Sequence, residues 1–378
     1  MTLTVVLMVV LIALIFEYIN GFHDTANSIA TVVATKVLTP SQAIILAASM
    51  NLLGALSGTA VAKTIFSGLI DSSVISMAPA MLICALLGAI VWNLVTWWWG
   101  LPSSSSHALI GGLCGSALAA SGNNWHALIW SEPADPIYQS KGLLWKVIVP
   151  MVTSPLGGFL LGLLIMGVLF AVISKMSQSG GTLARVARPK VMNKVFGRLQ
   201  IVSAAGMGFM HGTNDAQKTM GIIALALAGG TAAGALDNLP SWLQFLVLTE
   251  TGKDFKVPLW IVITCAVVMA AGTAAGGWRI IKTLGHKLVK LHPVHGFAAE
   301  TASATMIGIA SSLGIPVSTT HNISAAIMGV GTAKRANAIK WSVVQRMVWA
   351  WVLTIPIAGG LAYLLVKLSH TMGWIAYG

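Results

Sequence analysis

Charge is what this chain has least of. Asp, Glu, Lys and Arg make up 8% of its 378 residues, where soluble domains carry about 25%, and 56% of the residues are hydrophobic. That shortage excludes a soluble enzyme. The apolar residues gather in runs of about 17 to 25, enough for a helix to cross roughly 30 Å of hydrocarbon. Cysteine is scarce too: Cys84, Cys114 and Cys265 lie in apolar runs with no disulfide framework or metal-ligand spacing, and read as packing residues. Acidic residues number 10 against 22 basic ones. The resulting net charge of +12 would suit a nucleic-acid partner, but most of the basic residues sit in short connections between apolar runs, as the positive-inside rule expects. No nucleic acid is therefore expected. The stretch 3–16 has neither the basic start nor the cleavage pattern of a signal peptide and reads as a first membrane helix.

What is present is an all-α polytopic membrane protein. Apolar segments fall near 3–22, 42–62, 79–99, 107–121, 143–174, 201–235, 258–277, 297–311, 316–332 and 341–367. Three connections, 175–198, 278–295 and 334–346, are basic and acid-free, which places them in the cytoplasm. The connections 122–141 (Glu132, Asp135) and 237–256 (Asp237, Glu250, Asp254) then face outward, as do both termini. Segment 297–332, broken at Gly314 and Pro316, must enter and leave on one side, so it is a hairpin. Segment 79–121, broken at Gly100 and Pro102, is a second hairpin, entered from the opposite side.

Two patterns occur twice and in the same order. Gly21-Phe22-His23-Asp24-Thr25-Ala26-Asn27-Ser28 is answered by Gly212-Thr213-Asn214-Asp215-Ala216-Gln217-Lys218-Thr219. Pro102-Ser103-Ser104-Ser105-Ser106-His107 is answered by Pro316-Val317-Ser318-Thr319-Thr320-His321, each followed by a helix of small residues through Gly115 or Gly329. Each first pattern is expected to close or interrupt an apolar helix, and each second pattern to form a hairpin tip. The chain divides into a first repeat (1–141), a linker helix with a basic cytoplasmic loop (142–200), a second, inverted repeat (201–335) and a C-terminal membrane helix (336–378). Inverted-topology repeats of this kind are a plan of secondary transporters.

A carboxylate inside an apolar helix is costly and by default marks a site. Asp24 and Asp215, with Asn27 and Asn214 beside them, offer hard oxygen ligands for a proton or sodium ion. The alternative for each Asp is a helix cap. The hydroxyls of Ser104, Ser105, Ser106, Ser318, Thr319 and Thr320 stand where helices restart after proline, and free amides and the helix dipole there favour an anion. Hydroxyls also accept from a protonated oxyanion. Lys218, three residues after Asp215, is placed to neutralise that carboxylate or to contact the anion. Glu300 is a further candidate for coupling, and His23, His107, His321 and Gln217 are weaker candidates. Glu17 reads equally well as an interfacial residue. No fixed metal site or cofactor is expected.

These stretches, NGFHDTANSIATVVATKVLT (20–39), LPSSSSHALIGG (101–112), GFMHGTNDAQKTMGIIALAL (208–227) and AAETASATMIGIASSLGIPVSTTH (298–321), resemble the inorganic phosphate transporter family through both halves. The resemblance implies a helical inverted repeat, a homodimer, and phosphate moved by cation symport. It also implies a transport site formed by Asp24, Asn27, Asn214, Asp215 and the hairpin hydroxyls. Three departures point away from the sodium-coupled members. His23-Asp24 replaces the Asn-Asp of many members, Asn51 stands where some carry Glu, and Gln217-Lys218 looks like the proton-coupled bacterial branch. That branch is associated with phosphate moving as a neutral complex with a divalent metal.

The expected function is therefore import of inorganic phosphate by proton symport across a bacterial inner membrane. The alternatives are a sodium-coupled phosphate symporter and a sulfate permease. Carboxylates able to accept a proton-bearing anion's hydrogen favour phosphate over sulfate. An intramembrane lipid pyrophosphate phosphatase belongs to another class, and it wants an arginine or metal against the developing charge. All six arginines, at 185, 188, 198, 279, 335 and 346, fall in loops or at helix ends.

Overall fold

Thirteen α-helices carry the fold in a computed structural model that describes residues 2–67, 69–71, 73–75, 78–248 and 256–373. They are α1 (Leu3–Ala34), α2 (Pro40–Ala55), α3 (Ala60–Ser67), α4 (Pro79–Trp99), α5 (Ser105–Ala120), α6 (Val149–Gln178) and α7 (Gly181–Val186). Then follow α8 (Pro189–Ala232), α9 (Leu259–Ala275), α10 (Trp278–Lys282), α11 (Pro293–Ser312), α12 (Thr319–Lys334) and α13 (Trp341–Thr371). Among the described residues, α1, α4, α6 with its preceding π-turn, and α13 are each long and apolar enough to span a membrane. The bent pair 259–275 and 278–287, angled at 58°, makes a further span if taken together. The protein is a multi-pass, all-helical membrane protein. Glu250 and Asp254 lie outside the described residues.

Both hairpins form as expected. Helices α4 and α11 start on proline, which fits a first turn whose amides lack partners. They stop at Gly100 and Gly314, whose φ angles of 66° and 65° no β-branched residue would tolerate. After a short extended stretch, Ser104 and Ser318 cap α5 and α12, each hydroxyl accepting from the amide of the histidine three residues on, at 3.2 and 3.1 Å. The two ends of each hairpin also meet. The amide of Asp71 donates to Ala127 O (3.0 Å) and that of Ile129 to Leu69 O (3.1 Å) at the base of the first. At the base of the second, Lys340 N donates to Leu288 O (3.1 Å).

One expectation fails. The first patterns do not end their helices: α1 runs through 20–28 to Ala34, and the 44-residue α8 runs through 212–219 to Ala232. Their polar side chains find partners on other helices and leave the backbone ladder intact. The stretch 175–198 is likewise largely helical, shared between the end of α6, α7 and the start of α8.

The packing is exchanged between the halves. Helix α1 lies along α9, and α2 along α8. At these crossings Gly21 sits against Met269, Gly272 against Tyr18, Gly54 against Phe209 and Gly212 against Asn51, so close that a Cβ would strike the facing backbone. The long helix after each hairpin packs on the other hairpin: α6 lies along α12, with Gly329 on Phe159, and α13 along α5, with Gly115 on Gly359. Residues 149–178 are thus part of the wall around the second hairpin as well as a connection. Helices α6 and α13 turn large apolar side chains outward, among them Leu156, Leu160, Leu164, Val352 and Leu364, as a lipid-facing surface requires.

Candidate functional site

The uninterrupted α1 and α8 carry their patterns into the middle of the molecule, where both hairpin tips arrive. Asp24, Asn27, Asn214, Asp215 and Lys218 are all buried there with Ser105, Ser106, Thr319 and Thr320. Their contacts cross the halves. Asn27 Nδ2 donates to Thr319 Oγ1 at 3.1 Å and Thr320 Oγ1 at 2.9 Å. Thr320 Oγ1 lies 3.3 Å from Asp24 Oδ1, and Thr319 Oγ1 donates to Asp215 Oδ2 at 2.9 Å. Asn214 holds the second tip by its backbone: its amide donates to Ile315 O (3.3 Å) and its carbonyl oxygen accepts from Val317 N (3.3 Å).

Lys218 joins both tips to a carboxylate. Its ammonium pairs with Asp215, donates to Ser106 Oγ of the first hairpin, and donates to Val317 O of the second at 3.0 Å. All three N–H groups of the ammonium are used. Removing an ion from water costs several kcal/mol, which only such a full set of partners offsets. On the α1 side, His23 Nδ1 is 2.6 Å from Asp24 Oδ1, while its Nε2 faces Thr96 Oγ1 at 3.2 Å and Ser103 Oγ at 3.4 Å. His107 and His321 meet edge to face, ring centres 4.8 Å apart, and His321 stacks on Trp351 at 4.3 Å.

Several buried polar atoms at the tips have no hydrogen-bond partner among the described residues: Ser105 Oγ, Asn27 Oδ1, His107 Nδ1 and both ring nitrogens of His321. Orphans of this kind are rare, and a cluster of them around two helix starts suits a polar ligand. A ligand atom from each of Asp24, His211 and Asp215 lies within 4.8 Å of the others, a set of oxygen and nitrogen donors that a divalent cation fits. His211 went unnoticed in the sequence because it precedes the repeated octet. Its spacing of four from Asp215 was the available signal, since that puts both on one helix face. Its Nδ1 is 3.0 Å from Asn51 Oδ1, which ties the centre to α2.

Four expected site residues lie elsewhere or are occupied. Gln217 turns to α3, its carbonyl oxygen accepting from Val61 N (2.7 Å) and its amide donating to Thr213 O (2.6 Å), because the amides at the start of that short helix need an acceptor. Ser104 and Ser318 are engaged as caps. Glu300 forms a separate buried cluster, accepting from Thr31, Ser203 and, at 3.3 Å, Gln200. Glu17 is not interfacial: it is fully buried and accepts from Thr219. An apolar cavity of about 670 Å³ between α5 and α13, lined by Ile110, Cys114, Ile355 and Tyr363 among others, holds none of these groups.

The profile of the phosphate transporter family matches residues 20–362. A probable low-affinity inorganic phosphate transporter of Bacillus subtilis (strain 168) is 41% identical over 369 residues, 97% of this chain and 98% of that one. A protein so described from Rhizobium meliloti (strain 1021) is 43% identical over 348 residues, covering 92% and 91%. Among solved structures, the sodium-dependent phosphate transporter superposes with a TM-score of 0.77 over 98% of this chain and all of that one, at 23% identity, which shows a shared fold. These relatives are transporters, so the phosphatase reading falls away. With both hairpins and both repeated patterns inside the matched span, the chain belongs to the phosphate transporter family.

Proposed function

We propose that this protein imports inorganic phosphate by proton symport, binding it between the two hairpin tips. The observation that carries this reading is the meeting of two capped helix starts, two carboxylates and Lys218 at one buried place. Hydrogen phosphate is a tetrahedral anion that needs donors for its charged oxygens and an acceptor for its hydrogen. Ser105 offers an unpartnered hydroxyl, Thr319, Thr320, Asn27 and Lys218 become donors as phosphate takes the place of their present partners, and Asp24 or Asp215 is the acceptor. A donors-only site would suit sulfate instead. Lys218 bonds Ser106 and Val317 O, so an anion that draws its ammonium away loosens both tips from each other. That links binding to the rearrangement alternating access requires.

Protons are favoured over sodium as the coupling ion. At about 4 Å and an effective dielectric near 20, the ammonium of Lys218 would repel a sodium ion on Asp215 by roughly 4 kcal/mol. Asp24 and Glu300, neither of them paired with a lysine, are the proposed proton carriers. A second reading of the cargo rests on the Asp24, His211 and Asp215 set: phosphate arriving as a complex with a divalent cation that those three ligands receive.

The basic connections support an orientation with 175–198, 278–295 and 334–346 in the cytoplasm and both termini outside, in the plasma membrane of a bacterium. Counterflow and net uptake of radiolabelled phosphate in proteoliposomes, with and without sodium, a pH gradient and magnesium, test the whole reading. Uptake driven by an inward proton gradient without sodium, abolished by a protonophore and by Asp24→Asn, is expected. Strict sodium dependence would reject the coupling and leave phosphate in place, whereas sulfate in preference to phosphate would reject the substrate.

A further inference from the structure

Glu17 has no part in the site just described, yet it is as deeply buried as Asp215. It lies two turns before Asp24 on α1, a helix that packs against α4, α8 and α9. Thr219 of α8 donates to its Oε2. Its Oε1 has no partner among the described residues, and neither has Asn20 Oδ1. Glu17 and Asn20 are three apart on α1, so the two orphaned acceptors lie on one face of the helix. No cationic side chain pairs with the carboxyl among the described residues.

A bare carboxylate in that setting would be exceptionally costly. The charged groups that act on it are Asp215 and Lys218 on α8, of opposite sign, and the titratable group it meets from α9 is Cys265. Helix α4 brings no carboxylate, amine or histidine, and its titratable side chain is Cys84. A hard metal ion takes about six oxygens, more than Glu17, Asn20 and Thr219 hold out. One hydrogen on Oε1, donated to Asn20 Oδ1, satisfies both orphaned acceptors at once.

We propose that Glu17, with Asn20 and Thr219, is a proton-binding site separate from the two-aspartate centre, in which the bound proton bridges Glu17 Oε1 to Asn20 Oδ1. Thr219 follows Lys218 and lies one turn beyond Asp215, so the charge on Glu17 reaches the ion pair that holds both hairpin tips. The link to transport rests on the proton-symport reading above, but the site itself does not.

Infrared pH-difference spectra of the purified protein test the site directly. The parent is expected to show the band of a neutral carboxylic acid that is absent in Glu17→Gln and returns, shifted, in Glu17→Asp. Identical spectra for parent and Glu17→Gln overturn the proposal. If Glu17→Gln does not fold, Thr219→Ala serves: loss of the hydroxyl's hydrogen bond must move the band, and an unmoved band overturns the proposal equally. In proteoliposomes Glu17→Gln should keep phosphate counterflow while the protons taken up per phosphate fall, and an unchanged ratio would deny the site any part in coupling. Absence of phosphate counterflow from the parent as well would reject the transport reading and leave the infrared result standing.

Discussion

A buried ion pair is a weak source of stability but a strong liability when broken, and Lys218 with Asp215 is such a pair. Lys218→Met leaves the carboxylate with His211, Thr319 and no ammonium. A loss of about 3–5 kcal/mol is expected, read as a lower unfolding temperature in detergent, and Lys218→Met with Asp215→Asn should regain most of it. If the double variant is no more stable than the single one, the pair is not the unit described. At the hairpin tips, Ser105 has a buried hydroxyl without a partner, and Thr319 links Asn27 to Asp215. Losing one hydrogen bond to a charged ligand costs about 1.5–3 kcal/mol, so Ser105→Ala or Thr319→Ala should weaken phosphate affinity roughly 10- to 150-fold with folded yield unchanged. Kinetics of uptake equal to the parent's in both variants would remove the tips from the substrate site. Asp24, Asp215, Lys218 and the tip hydroxyls were legible as site candidates because a polar group is conspicuous in an apolar run. His211 was not, since it stands just before the repeated octet, and Glu17 was conspicuous in its apolar run but read equally well as an interfacial residue.

Among the helices, the places where α1 crosses α9 and α2 crosses α8 depend on the absence of a side chain. Gly21→Val and Gly212→Val push a branched side chain into a facing carbonyl, and little folded protein should accumulate. Gly167 and Gly206 have open space around them, and alanine there should stabilise by up to about 1 kcal/mol through helix propensity, measured as the unfolding temperature. Helix α3 provides the matching control for Gln217. Gln217→Ala frees Val61 N and should lower stability by about 1–3 kcal/mol while leaving phosphate affinity as it is, and a large fall in affinity would return Gln217 to the site. Helix lengths near the motifs were misread for a physical reason. A polar octet inside an apolar run looks like a terminus unless its partners on other helices are known.

At the scale of the molecule, the bases of the hairpins test the orientation. Cysteines introduced at 185 and 287 should react with impermeant reagents from the cytoplasmic side, and one at 133 from outside. Labelling of 133 and 185 from the same side would contradict the crossing count on which the inverted-repeat reading depends. The connections that touch, 69–71 with 127–129 and 288 with 340, must label in common whichever way the protein sits.

Composition, hydropathy and two pairs of repeated patterns were enough to determine a multi-pass helical protein, its two hairpins and the phosphate transporter resemblance. Such features are local or periodic, and a helix in lipid must satisfy its own backbone within one segment. Gly100 and Gly314 could be read as stops because a left-handed residue at a helix end is a local need. Only the tertiary structure decided that α6 walls the second hairpin and α13 the first, that Gln217 serves α3, and that His211 joins the two aspartates. Each of these depends on which helix lies opposite, a choice made by close contacts such as Gly54 on Phe209, between residues more than 150 positions apart in the chain. Spacing along one helix says which side chains share a face and nothing about what that face will meet.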